Sequence, residues 1–117
     1  MAVYVISDTV PQDPQAWETY IAVAPASIAR YGGRYLARGG HIETIEGSWT
    51  PTAIVIVEFP DADSVKRWYA SPEYAEALKV RDKALRRNLI AVEGVAAQAD
   101  DPAKLQALLG DRASKPR

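Results

Sequence analysis

Three groups of side chains in this sequence are equipped for chemistry. The first is cationic. Arg34 and Arg38 stand four apart in Tyr31-Gly32-Gly33-Arg34-Tyr35-Leu36-Ala37-Arg38-Gly39-Gly40, and Arg81 follows seven residues after Tyr74. Guanidinium groups bind carboxylates through paired N–H donors. The second group is aromatic. Trp68, Tyr69 and Tyr74 bracket Ser71-Pro72, offering a wall for a planar or apolar ligand and a phenol as proton donor. The third is basic: His41, the sole histidine, follows two glycines, and Glu46 lies five residues on. Either is a candidate general base.

Each group also has a plainer role. Arg81, three after Leu78 and four before Leu85, shares their helical stripe. Held inward it takes an anionic ligand, or it pairs with a carboxylate such as Glu46 or Glu58, or it snorkels to the rim. Arg34 and Arg38 share a strand parity and would present two cations together, yet edge-strand charges also discourage edge-to-edge pairing. The aromatic residues suit ordinary helix-on-sheet packing, with Ser71 as an N-cap. One histidine makes neither a multi-histidine metal site nor a Ser-His-Asp arrangement, and a loop position is its simpler role.

Composition narrows the field. The chain has 117 residues, enough for one domain with a real core. Net charge is −1, so no long-range field draws in nucleic acid or an anionic membrane. The basic run from Lys79 to Arg87 reads as a solvated helix end that complements the helix dipole. There is no cysteine, which excludes disulfides, thiolate catalysis and Cys-type metal centres. The glycine pairs match no nucleotide fingerprint, so no cofactor and no metal is expected. The apolar start lacks a basic leader pattern and no segment is long enough to span a membrane, which makes the cytosol the default location.

These side chains must be positioned by regular elements. Residues 3–10 alternate and are rich in β-branched types, a first strand. Asp13-Pro14 starts a helix whose apolar stripe runs through Trp17, Tyr20, Ile21, Ala24, Ile28 and Tyr31. Pro25 predicts a kink or break near Ala24, and Gly32-Gly33 ends the helix. A second strand over 34–38 bends at Gly39-Gly40 and continues through 41–46. Residues 53–57 are apolar at both parities, the mark of a central strand. Asp61 and Ser71-Pro72 start two helical segments, and residues 89–95 form the last strand. Residues 1–95 thus make one domain. The tail, 96–117, holds a short amphipathic helix with Asp101 as cap, Pro102 at its first position, and Leu105, Leu108 and Leu109 on one side.

The order β-α-β-β-α-β predicts an α+β, ferredoxin-like domain: a four-stranded antiparallel sheet with helices on one face and the first and third strands central. Those helices cannot cover both sides. Ile54 and Ile56 fall on one parity and Val55 and Val57 on the other, as do Tyr4 and Ile6 against Val3 and Val5. Such an apolar second face is rarely left in water. At ~25 cal/mol per Å² the gain from covering it is many kcal/mol before association costs. A second copy of the same sheet is the simplest cover, so a face-to-face homodimer burying more than ~1,000 Å² is expected.

The segments 31–40, Ile45-Glu46-Gly47, Val57-Glu58-Phe59-Pro60 and 68–74, with Arg81 after them, resemble the mostly bacterial family known as domain of unknown function 1330. The resemblance covers residues 2–95 and leaves out the tail. It places recurring family positions at Tyr31, Gly33, Arg34, Glu46, Trp68 and Tyr74, with Arg81 among them. One departure is visible: Thr52-Ala53 stands where a basic residue is expected before the apolar strand. That family is similar to the dimeric α/β-barrel superfamily, which includes cofactor-free monooxygenases, muconolactone isomerases and YciI-like proteins. The resemblance therefore implies the same fold and dimer as the patterning, and carries over no activity.

Two functions compete. In one, the helix–sheet cleft of a homodimer binds a small aromatic or carboxylated metabolite, with room for cofactor-free oxygenase or isomerase chemistry. Tyr31, Arg34, Trp68, Tyr74 and Arg81 would line it, and His41 or Glu46 would act as base. In the other, these residues are structural and the protein is a non-catalytic interaction module.

Overall fold

The computed structural model describes residues 1–95; the expected tail helix lies outside them. Alternation from Val3 produces β1 (Val3–Pro11), followed by α1 (Pro14–Arg30), β2 (Arg34–Arg38) and β3 (Ile54–Phe59). Then come α2 (Ala62–Tyr69), α3 (Pro72–Ala84) and β4 (Leu85–Glu93). The antiparallel sheet has the order β2-β3-β1-β4, with β1 and β3 central as expected. The helices start where the capping residues stand. The Asp13 carboxylate accepts from the Ala16 N–H at 2.8 Å, Asp61 from Ser64 at 2.7 Å, and the Ser71 hydroxyl from Tyr74 at 3.0 Å.

Four local expectations are corrected. First, α1 runs unbroken through Pro25. The proline removes one donor, but Tyr20, Ala24 and Ile28 are all buried against the core, and that packing keeps the helix continuous on both sides of it. Second, residues 41–46 form no strand. Their only available partners are residues 48–53, which include Pro51, and a proline has no N–H for the ladder. Third, the irregularity in β2 falls between Tyr35 and Ala37 rather than at Gly39-Gly40. Fourth, β4 begins at Leu85, directly after α3, because Pro11 pairs with Leu85 and Thr9 with Arg87. Arg86 and Arg87 are therefore strand residues and not a helix end.

Between helices and sheet the core packs Val5, Val57, Phe59, Trp68, Tyr74 and Ala77. Gly32, at φ +86°, closes α1, and the Gly33 N–H then bonds the Ile28 carbonyl at 2.9 Å. Gly33 has no room for a side chain: a Cβ there would lie 2.6 Å from Ile28 Cγ2 and 2.9 Å from the Phe59 ring. Gly33→Ala is expected to cost ~1–3 kcal/mol through overpacking, read as a lower thermal midpoint with unchanged far-ultraviolet circular dichroism.

Among the described residues the opposite sheet face carries no helix. There Ile6 pairs with both Ile56 and Ile90, and Tyr4 with Val92. Ile90 is 59% exposed and Val92 46%. Among the described residues nothing covers this surface.

Candidate ligand cleft

Between α1 and the helix-side face of the sheet lies a cavity of about 460 Å³, within the ~300–1,000 Å³ common for small-molecule sites. One side comes from α1, where the spacing of three and four brings Trp17, Tyr20, Ile21 and Ala24 to the cleft. Alternate residues of β1 and β3 form an apolar floor through Val5, Val55 and Val57. Ser7 and Thr9 continue that row, and their buried hydroxyls share one hydrogen bond of 2.8 Å.

Two cations reach this cavity, Arg38 from β2 and Arg87 from β4. Arg87 is the centre of a polar cluster. Its Nη1 donates to the Tyr20 hydroxyl at 2.7 Å and its Nη2 to the Tyr74 hydroxyl, while the two phenol oxygens are 2.8 Å apart. Its Nε is buried with no partner. Arg38 lies over the Tyr35 ring, 4.4 Å from the centroid. No carboxylate lines the cavity among the described residues. The ion pairs found there lie elsewhere, as in Arg34–Glu58 and Arg30–Glu73.

Ionisation follows from this arrangement. Burial pushes the Tyr20 phenol well above the ordinary tyrosine range, the neighbouring Tyr74 adds to the rise, and Arg87 offsets only part of it. Tyr35 is also raised, chiefly by burial. For Arg87 burial works against the charge, but the Tyr20 and Tyr74 oxygens outweigh it and lift its pKa. The cluster therefore holds the Arg87 cation beside a neutral Tyr20 phenol at ordinary pH. A phenol whose pKa is higher folded than unfolded stabilises the fold below the unfolded value of ~10, and that contribution fades as pH rises. Stability should thus fall above pH ~10, with these phenolate absorbances appearing only as the protein unfolds.

The side chains singled out from sequence separate into three places. Trp68 lines the cavity, 3% exposed, with its indole N–H donating to Ser27 at 3.1 Å. Tyr74 is fully buried behind it, ring centroids 4.4 Å apart, and contributes its hydroxyl to the Arg87 cluster. A second set lies away from the cavity lining. The Tyr31 hydroxyl donates to Glu73 at 2.6 Å, a bond that pulls the Glu73 carboxyl below its usual range. Arg34 donates to Glu58 at 2.6 Å, and Arg81, near the end of α3, donates to its neighbour Asp82 at 2.9 Å. The third set is His41 and Glu46, exposed in the irregular segment after β2. That segment is tied to the cavity at its two ends, since Gly39 and Ala53 both line it.

Parity alone sets Arg34 and Arg38 on one side of β2. The bulge at Leu36 inserts one residue, so Arg34 pairs across from Glu58 and Arg38 from Val55, on opposite faces. Sequence reasoning missed Tyr20 and Arg87 as site residues. A signal for Arg87 was present: Leu85, Arg87 and Leu89 alternate with Arg86, Asn88 and Ile90, which is strand period and not helix period.

Sheet order, one-sided helices and a cleft beneath α1 define a ferredoxin-like α+β protein with a small-molecule-sized cavity. The chain belongs to the family described as Domain of unknown function (DUF1330), whose pattern matches residues 2–95. Comparison with curated proteins finds no match. Among solved structures it is similar to RPA0582, a protein of unknown function from Rhodopseudomonas palustris. Their identity is 18% and the TM-score 0.66, over 81% of this chain and 83% of that one. It is similar to a dimeric ferredoxin-like protein of unknown function from Jannaschia, at 13% identity and TM-score 0.56, over 80% and 100%. SnoaB, a cofactor-independent oxygenase from Streptomyces nogalater, shares 15% identity and a TM-score of 0.55, over 83% and 96%. At these identities the likeness concerns the fold. No helix among the described residues is long and apolar enough to cross a membrane.

Proposed function

We propose that the protein is a cytosolic homodimer that binds a small aromatic or carboxylated metabolite in the helix–sheet cleft of each protomer. One observation carries the reading: an apolar cavity of about 460 Å³ holds two guanidinium groups, Arg38 and Arg87, with no carboxylate to balance them among the described residues. Arg87 is half-buried and has only phenol oxygens as partners, while Arg38 is exposed, so an anionic ligand would supply the counter-charge that the lining lacks. Trp68 and Trp17 give flat walls for a ring. The dimer is supported by the open apolar sheet face and by the description of the Jannaschia structure as dimeric. That SnoaB is a cofactor-independent oxygenase supports cofactor-free oxygenase chemistry here. His41 and Glu46 remain candidate bases, because the segment bearing them is joined at both ends to the cavity.

A thermal-shift panel of benzoate, cinnamate and naphthoate against their neutral amides tests this. The acids should raise the midpoint, since a ligand at ~100 times its Kd stabilises by ~2.7 kcal/mol. Arg87→Met should abolish the preference for the acid over the amide. No stabilisation by any acid would defeat the proposal. A second reading, a module docking on another protein, draws on Ile45, 92% exposed, and Trp49, 65% exposed. It predicts that silent panel.

A further inference from the structure

The hydroxyl protons of the cluster can be counted, and the count selects a ligand. Tyr20 and Tyr74 bring one proton each, and Arg87 donates to both oxygens. The single bond between the phenols uses one of the two protons. Tyr74 is fully buried, and among the described residues its hydroxyl has no hydrogen-bond partner but Tyr20 and Arg87, which can only donate. Buried hydroxyls are rarely left unpaired, so Tyr74 must be the donor of that bond. Tyr20 then accepts twice and its own proton is unspent. Tyr20 also lines the cavity, as Arg87 does.

We infer that Tyr20 is the hydrogen-bond donor for a ring-conjugated oxyanion on the ligand, a phenolate or enolate oxygen, with Tyr74 and Arg87 setting its direction. This rests on the cleft reading above and narrows its ligand class. A phenol that accepts two hydrogen bonds, one from a cation, is polarised into a stronger donor. The groups facing it are Tyr74 from α3 and Arg87 from β4, with Tyr35 and Arg38 across the cavity on β2. None is an acid, so nothing there opposes a negative oxygen. The donor stands beside a flat aromatic wall, Trp17, whose ring stacks with that of Tyr20 at 6.1 Å between centroids, and this suits a ligand whose anionic oxygen is carried by a ring.

The test uses para-nitrophenol, whose phenolate is coloured, titrated against the full-length protein. Bound probe should ionise about one pH unit or more below free probe, because cation and donor favour its charged form. Tyr20→Phe should return most of that shift. Tyr74→Phe should return part of it, although Tyr74 is too deeply buried to touch the probe; Tyr74 is a positioning residue, and a purely structural role would leave the spectrum unmoved. A bound probe that ionises as in water overturns this inference alone, and so does an unchanged midpoint in Tyr20→Phe. Failure of the probe to bind, with the carboxylate panel also silent, overturns the cleft reading and this inference with it. Should either variant fail to fold, the wild-type midpoint decides.

Discussion

Ile56→Asp should turn the proposed dimer into a folded monomer, weakening self-association about a thousandfold. Ile56 sits at the middle of the helix-free face, pairing with Ile6 on β1 and Ala37 on β2. In one protomer this position is only partly covered, so an aspartate there keeps access to water and the fold survives. In an isologous pair about an axis near Ile56 the same position comes from both copies, and two carboxylates would be buried together. An unpaired buried charge costs ~3–5 kcal/mol, and 4 kcal/mol is about three decades in Kd. Sedimentation at micromolar concentration reads the result directly, with circular dichroism confirming the fold. A variant that still sediments as a dimer would move the interface to another surface. A wild type that sediments as a monomer would remove the dimer altogether.

The architecture was legible because local signals agreed with one another. Asp13, Asp61 and Ser71 each sit before a helix and each accepts the expected backbone N–H. The two-sided apolar run at 53–57 belongs to a central strand, and β3 is central. What failed was local propensity that tertiary structure overrode. Pro25 argued for a broken helix, yet burial of the residues on either side of it keeps α1 whole. Residues 41–46 were expected to continue the second strand, but a strand needs a partner, and Pro51 lies in the segment that would pair with them.

The site was legible only in its aromatic half. Trp68 and Tyr74 were marked by the helix restart at Ser71-Pro72 and do meet at the cluster. The cations were misplaced for two physical reasons. A bulge of one residue is invisible in a five-residue strand, and it alone sends Arg38 to the cavity and Arg34 to the other face. The helix-to-strand change at Leu85 falls inside a run rich in lysine and arginine, where a solvated helix end is the ordinary expectation. Tyr20 could not be told from its neighbours on the α1 stripe, since its role depends on which residues cross from α3 and β4 to meet its hydroxyl.

Tyr74→Ala and Tyr74→Phe should differ sharply, and the gap measures what the buried ring does apart from its oxygen. The ring packs on Trp68 at 4.4 Å, on Tyr69 at 5.6 Å and edge-on to Tyr20 at 6.4 Å between centroids. Truncation to alanine leaves a cavity among these rings, expected to cost ~3–5 kcal/mol, a large share of a domain's ~5–15 kcal/mol. Phenylalanine keeps the packing and deletes one acceptor of Arg87, for ~1–3 kcal/mol. With a urea slope of ~1–3 kcal/mol/M, the alanine variant should unfold about 2 M earlier and the phenylalanine variant about 1 M or less. Urea titration followed by circular dichroism checks both. If the phenylalanine variant fell as far as alanine, the hydroxyl cluster would be a main support of the fold and its geometry would need no ligand to explain it. A small loss on phenylalanine, beside an altered acid preference in the cleft, means that Arg87 is held between two phenols mainly for what enters the cavity.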